Sequence, residues 1–153
     1  MRRRVALVVL AALVLPVGAF GQNAPSPAAA ASARPRPAPL PKDSLERARR
    51  YATWLLTSRT DSMFANLDSA TRAQFGSSSV LDDAAAEVAI RFGYELRVVE
   101  ERWVTRLGKR QYWRTSKYSS FDEPVILRLV ILSTGQLAGL GINPLSQAPP
   151  VDP

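Results

Sequence analysis

The chain of 153 residues contains no cysteine and no histidine. Without cysteine there are no disulfides and no thiol chemistry, so the folded part must be stabilised by its core alone. Without histidine, His-based catalytic triads, most zinc sites and the commonest general base are excluded. A Gly-rich phosphate-binding loop and internal repeats are also missing from the sequence. We therefore expect no catalytic residues, no metal site and no cofactor.

The net charge of +7 overstates how basic the expected domain is. Residues 43–145 contain 14 basic and 12 acidic residues, so their own net charge is only +2. A nearly neutral domain gives little electrostatic support for binding to nucleic acid or to an anionic membrane. We expect no nucleic-acid partner.

Long apolar runs are also scarce, and the one at the N-terminus has the pattern of an export signal. Three arginines at 2–4 precede an uninterrupted apolar run over 5–15, and small residues at −3 and −1 favour cleavage before Gln22, with cleavage after Ala19 as the alternative. The run is shorter than the roughly 20 residues of a spanning helix, which favours a cleaved signal over an uncleaved anchor. The sequence thus predicts a signal peptide over 1–21, a periplasmic or secreted protein, and no membrane span after processing.

The rest of the chain divides by composition into three parts. Residues 22–42 contain six prolines and seven alanines, and before Leu40 they have almost no large apolar residue, so we expect a disordered, extended linker. Residues 43–145 carry the apolar periodicity of a folded domain. Residues 146–153 contain three prolines and are expected to form a flexible tail.

The first half of the domain has helical periodicity, with apolar residues three and four positions apart. Asp43 and Glu46 have the spacing of a capping box for the first helix. The expected ends of the other helices are Thr60 at the start of the second, Asp68 and Gly76 around the third, and Ser79 and Gly93 around the fourth.

From Tyr94 onward the period changes to that of strands. We expect a first strand with a bulge near residues 99–101, a turn at Gly108–Lys109 and a second strand over 110–119. The apolar run 124–132 predicts a central strand covered on both faces.

A Ser-Thr-Gly-Gln turn follows the central strand, with Gly135 at positive φ, and a last strand then runs over 136–143. The predicted fold class is α+β, with N-terminal helices packed on a curved four-stranded antiparallel meander, in a cone-like arrangement.

This order of elements resembles the cone-shaped nuclear-transport-factor-two-like superfamily, and within it a group of small exported bacterial domains of unknown function. The resemblance is carried by the helical opening 51–67, by Phe92-Gly93-Tyr94 at the entry to the sheet, and by the hairpin 125–144. It implies a domain that occurs alone or in front of extracytoplasmic serine hydrolases, and that can dimerise through its sheet. Catalytic relatives use an Asp, His or Tyr inside the cone, but no residue of this chain can be assigned such a role from the resemblance.

Among the candidate site residues, Arg128 stands out because it is the one charge within the apolar central strand. It can reach the rim, pair with a carboxylate, or face a pocket and hold an anion. The aromatic residues can form core packing or line a pocket between helices and sheet. The ligand-pocket candidates are Trp54, Phe64, Trp113 and Arg128. The adjacent pair Glu100–Glu101 is interpreted as solvated.

The function expected from these features is an exported, non-catalytic binding or protein-interaction domain. The resemblance alone implies that it is accessory to an extracytoplasmic hydrolase. Its ligand would be a small apolar or anionic molecule or a partner protein, and a homodimer through the sheet is expected. The alternative is a small enzyme of the isomerase or hydratase type with a pocket carboxylate as base. The two hypotheses differ in one feature, because only the enzyme needs a buried titratable group in a polar-lined pocket.

Overall fold

The structure, a computed structural model, describes residues 42–152. The predicted signal peptide and all but the last residue of the predicted linker lie outside these residues. The fold class is α+β, as predicted, with four helices followed along the chain by one antiparallel sheet. No helix among residues 42–152 has both the length and the apolar character needed to cross a membrane.

The four helices begin and end close to the predicted residues. They are α1 (Ser44–Leu56), α2 (Thr60–Ala65), α3 (Ser69–Phe75) and α4 (Ser78–Phe92). At α3 the predicted caps are confirmed, because the Asp68 carboxylate accepts a hydrogen bond from the Thr71 N–H (3.0 Å) and Gly76 ends the helix with φ of 75°.

Two of the other predicted caps are wrong. Asp43 precedes α1 but its side chain does not cap the helix, because its carboxylate pairs with the guanidinium of Arg47 one turn later. The fourth helix begins at Ser78 and its N-cap is Ser77, two residues before the predicted Ser79. At the C-terminal end of this helix, Gly93 has the expected positive φ of 79°.

The sheet is the predicted meander. Its strands are β1 (Glu95–Arg106), β2 (Lys109–Tyr118), β3 (Phe121–Ile131) and β4 (Leu137–Pro144), in the spatial order β1-β2-β3-β4. Gly135 in the β3–β4 loop has φ of 86°, which confirms the predicted positive φ. The sheet remains open, with β1 and β4 at its edges.

Strand β1 is irregular in the region where a bulge was predicted. Its register with β2 shifts between Val98 and Glu100, and again between Glu95 and Arg97. The β1–β2 turn lies one residue before its predicted position, at Leu107–Gly108, where both residues have positive φ (52° and 69°) as in a two-residue hairpin loop. Bulges of this kind limit pairing of an exposed edge strand with another chain.

Among residues 42–152, the four α-helices pack against one face of the sheet, and we call the face on which none of them packs the helix-free face. Tyr112, Leu127 and Leu129 point towards the helices and form one cluster with Ala48, Ala52 and Leu55 of α1. Successive strand residues point to opposite faces, so Ile126 lies on the helix-free face. Both Ile126 and Leu127 are buried, which confirms that β3 is covered on both faces.

The residues after β4 return to the opposite end of the sheet. A short 3-10 helix, Leu145–Gln147, follows Pro144. Further on, the Asp152 N–H donates to the Thr105 carbonyl (2.9 Å), and the Asp152 carboxylate accepts from the N–H groups of Leu107 and Gly108 (3.0 Å each). These hydrogen bonds give the tail a place on the domain that its sequence did not indicate.

Candidate functional site

An ion cluster lies on the helix-facing side of the sheet, near the β1 edge. Arg114 of β2 donates from Nε (2.9 Å) and Nη2 (2.5 Å) to the carboxylate of Glu95, and from Nη1 (3.2 Å) to Glu101. Only 14–17% of each of these three side chains is exposed. The cluster therefore brings two carboxylates and one guanidinium together in a part of the domain that is largely shielded from solvent.

Further hydrogen bonds occupy the same two carboxylates. The Ser116 hydroxyl donates to Glu95 (2.5 Å), and the Tyr112 hydroxyl donates to Glu101. Arg49 of α1 donates to the other oxygen of Glu101 from Nε (2.9 Å) and Nη2 (2.5 Å). Each carboxylate thus accepts hydrogen bonds on both of its oxygens.

These contacts hold both carboxylates in the ionised form. Burial raises the pKa of Glu95, but the hydrogen bonds from Arg114 and Ser116 outweigh it and leave the pKa below its ordinary value. The hydrogen bond from Arg49 is the main cause of the lowered pKa of Glu101. A general base works best with a pKa near the operating pH, so both shifts run against that role.

The phenol and the guanidinium of the cluster are also held in one protonation state. Burial, followed by the hydrogen bond to Glu101, raises the pKa of the Tyr112 phenol, while the hydrogen bond to Glu95 raises the pKa of Arg114. The cluster is therefore a set of fixed charges with matched donors and acceptors. Through Arg49 it links α1 to the sheet.

Sequence reasoning missed this cluster. The sequence predicts that Glu101 is solvated, but its side chain is only 16% exposed and Arg49 of α1 binds it. A signal was present in β2, where Tyr112, Arg114 and Ser116 alternate in phase with buried Tyr118 and so share the helix-facing side. The contact between Arg49 and Glu101 joins residues 52 positions apart, and no local pattern indicates it.

The helix-free face carries a row of neighbouring residues across all four strands. Arg102, Trp113, Arg128 and Gly141 are paired in that order from β1 to β4. The Arg102 guanidinium lies 5.5 Å from the centre of the Trp113 ring, and the Trp113 indole N–H donates to Gln111 Oε1 (3.0 Å). The row therefore surrounds a buried indole with cationic side chains.

Arg128 lies flat against β4 because a glycine faces it. Its Nη2 donates to the Asn143 side-chain oxygen (2.7 Å), and a Cβ added at Gly141 would lie only 2.8 Å from the same Nη2. Of the three roles considered for Arg128, pairing with a carboxylate does not occur among the described residues. Its guanidinium is instead positioned by the neutral side-chain amide of Asn143 and by the space beside Gly141.

Arg106 adds a second cation to this face. Arg106 lies just before the β1–β2 turn and is paired with Lys109 of β2. Because Lys109 is two residues before Gln111, Arg106 lies on the same face of the sheet as Gln111. Burial, and then the charge of Arg106, lower the pKa of Arg128. In the part of the chain that the structure describes, the Nε atoms of Arg106 and Arg128 are the buried side-chain nitrogen or oxygen atoms without a hydrogen-bond partner.

The structure divides the four ligand-pocket candidates between the two sides of the sheet. Trp54 of α1 and Phe64 of α2 are half-buried and pack against the core cluster on the helix side. Trp113 and Arg128 are cross-strand neighbours on the helix-free face. The four side chains therefore do not line one pocket.

Within residues 42–152, no group of three or more acidic side chains is arranged to hold a metal ion. Comparisons with protein-family profiles, with curated proteins and with solved structures find no match to this chain. The resemblance to the nuclear-transport-factor-two-like superfamily consequently stays a prediction.

Proposed function

We propose that the protein is an exported, non-catalytic binding or protein-interaction domain. The observation that carries this proposal is the ion cluster of Glu95, Glu101 and Arg114. In an isomerase or hydratase a buried carboxylate must accept a proton from the substrate, so it needs a free oxygen and works best when its pKa is raised towards the operating pH. Both carboxylates here have occupied oxygens and lowered pKa values.

The second part of the proposal concerns location. The basic and apolar pattern of residues 2–15 supports export, and the proline-rich stretch 22–42 supports a spacer between the domain and its surroundings. A domain with this arrangement suits an accessory role beside an extracytoplasmic hydrolase. That role rests on the resemblance, as does the homodimer through the sheet, for which sedimentation of the purified protein is the test.

Proton exchange gives a direct test of the non-catalytic assignment. The processed protein is incubated in D₂O with a panel of ketones and enones, and deuterium at the carbon beside the carbonyl is followed by proton NMR. This exchange is the elementary step of carboxylate-based isomerases and hydratases. We expect wild-type protein and Glu101→Gln to match the buffer rate. Exchange that is faster than buffer with wild type and at least about tenfold slower with Glu101→Gln would establish the enzyme alternative, since a factor of ten in rate corresponds to about 1.4 kcal/mol of activation free energy.

A further inference from the structure

We propose that Arg106 and Arg128 form an oxyanion site on the helix-free face, which binds a phosphate or carboxylate group of the ligand. This inference rests on the proposed binding function and names the chemical class of its ligand. Guanidinium groups bind such oxyanions through paired N–H donors. The site lies on the opposite side of the sheet from the ion cluster, so the two can be tested separately.

The first argument is that these two partly buried cations lack a paired anion within the described domain, in contrast to the likewise partly buried Arg114. Arg114 binds two carboxylates on the helix side, and Arg102 on the helix-free face lies 3.6 Å from Glu100. Among the described residues, neither Arg106 nor Arg128 has a carboxylate within salt-bridge distance. Burial, and then the charge of Arg106, lower the pKa of Arg128, and an anion bound beside both guanidinium groups would offset this repulsion.

The second argument is that donors remain available. The Nε atoms of both arginines are buried without a partner, which costs free energy unless a ligand or water satisfies them. Arg128 Nη1 and both Nη atoms of Arg106 are neither among the buried unsatisfied atoms nor hydrogen-bonded within residues 42–152. Solvent therefore reaches them, and an oxyanion can approach from the same side.

The third argument is that Arg128 is positioned rather than free to move. Asn143 holds one nitrogen of its guanidinium, and the missing side chain of Gly141 provides the space in which that nitrogen lies. A positioned guanidinium loses less conformational entropy when it binds an anion than one on a mobile stem. The fixed position of the Arg128 guanidinium thus favours binding of an oxyanion through paired N–H donors.

The test is a titration of the processed, full-length protein with sodium phosphate, and in a parallel arm with sodium acetate, followed by ¹H–¹⁵N NMR. Buried Nε–H groups exchange slowly with water, so the Arg106 and Arg128 signals should be visible, and each is assigned by its loss in Arg106→Gln or Arg128→Gln. Sodium chloride at matched ionic strength is the control for screening. The arm with the tighter binding distinguishes a phosphate ligand from a carboxylate ligand.

We expect saturable shifts of both Nε–H signals and of the Trp113 indole signal in at least one arm. Arg106→Gln and Arg128→Gln should each weaken binding about tenfold, the effect of one charge-assisted hydrogen bond, and Gly141→Ala should weaken it by displacing the Arg128 guanidinium. Arg97→Gln, an exposed arginine on β1, should leave the affinity unchanged.

Shifts that follow ionic strength alone, or that are equal in the chloride control, would overturn the site. So would equal loss of affinity in Arg97→Gln and Arg128→Gln, because that result describes general attraction to a basic surface. If Arg128→Gln does not fold, Gly141→Ala and Arg128→Lys, which keep the charge and change only its geometry, decide the question. Failure of this site leaves the non-catalytic assignment intact, since the proton-exchange experiment tests that independently.

Discussion

The charge of Glu95 should stabilise the fold in a pH-dependent way, and Glu95→Gln is the variant that measures it. This substitution keeps the shape of the side chain and removes the charge that accepts two hydrogen bonds from Arg114 and one from Ser116. The Glu95 and Arg114 side chains are only 17% and 14% exposed, so solvent screens the interaction little.

The expected cost of Glu95→Gln follows from what the variant leaves behind. Removing one partner of a fully isolated buried pair costs about 3–5 kcal/mol, but Arg114 retains Glu101. The loss should then be close to that of hydrogen bonds to a charged group, about 1.5–3 kcal/mol at pH 7. Urea unfolding followed by circular dichroism gives this difference in the free energy of unfolding.

The pH dependence has a definite sign. Because the pKa of Glu95 in the folded protein is below its ordinary value of 4.5, its charge stabilises the fold above that value, and the stabilisation is lost as the pH falls through the lowered pKa. Wild type should therefore lose more stability on acidification than Glu95→Gln, and the gap between them should narrow below pH 4.5.

The neighbouring Glu100→Gln provides the control. Glu100 is 50% exposed and lies 3.6 Å from Arg102, so its removal should change the free energy of unfolding by less than about 0.5 kcal/mol. If Glu95→Gln were as stable as this control at pH 7, or if the gap to wild type did not change with pH, the structural role of the ion cluster would be refuted.

Four further outcomes are expected. Leu129→Ala should cost about 2–5 kcal/mol in urea unfolding because it leaves a cavity in the core, whereas Ile90→Ala, whose residue is 85% exposed, should cost less than about 0.5 kcal/mol. Mass spectrometry of the exported protein should find Gln22 at its N-terminus, and retention of residue 1 in the membrane fraction would contradict this. A protein that begins at residue 43 should melt at the same temperature as the processed chain, since a linker that packs on nothing stabilises nothing; a lower melting temperature would disprove the boundary. Asp152→Ala should lower the free energy of unfolding by about 1 kcal/mol through loss of the bonds to the β1–β2 turn, and an unchanged value would indicate that the tail contributes nothing.

The sequence was informative where structure is determined locally. The β3–β4 hairpin follows from an apolar run, a turn and a glycine, and Asp68 caps α3 because its nearest donor is the Thr71 N–H. Asp43 shows where local patterns fail, since Arg47 one turn later competes for the same carboxylate. The spacing of a capping box takes no account of a competing ion pair such as the one between Asp43 and Arg47.

The site was less predictable because strand neighbours and helix packing determine it. Arg128 was identified from its isolation in an apolar strand, but the roles of Gly141 and Asn143 depend on the register of β3 with β4. The sequence did not indicate Arg106, because its effect on the pKa of Arg128 depends on the sheet placing both side chains on the same face. The sequence predicts one pocket for Trp54 and Trp113 because both are aromatic, but the structure places them on opposite sides of the sheet.

The packing of α1 on the far end of the sheet has a consequence for biosynthesis. The Tyr51 hydroxyl donates to the Gly135 carbonyl (2.8 Å), which is 84 residues further along the chain. At about 5–20 residues per second, a ribosome needs roughly 4–17 s to make that interval. During this time the apolar side of α1 has no β3 or β4 to cover it, so we expect the nascent chain to expose apolar surface until the last hairpin has been made.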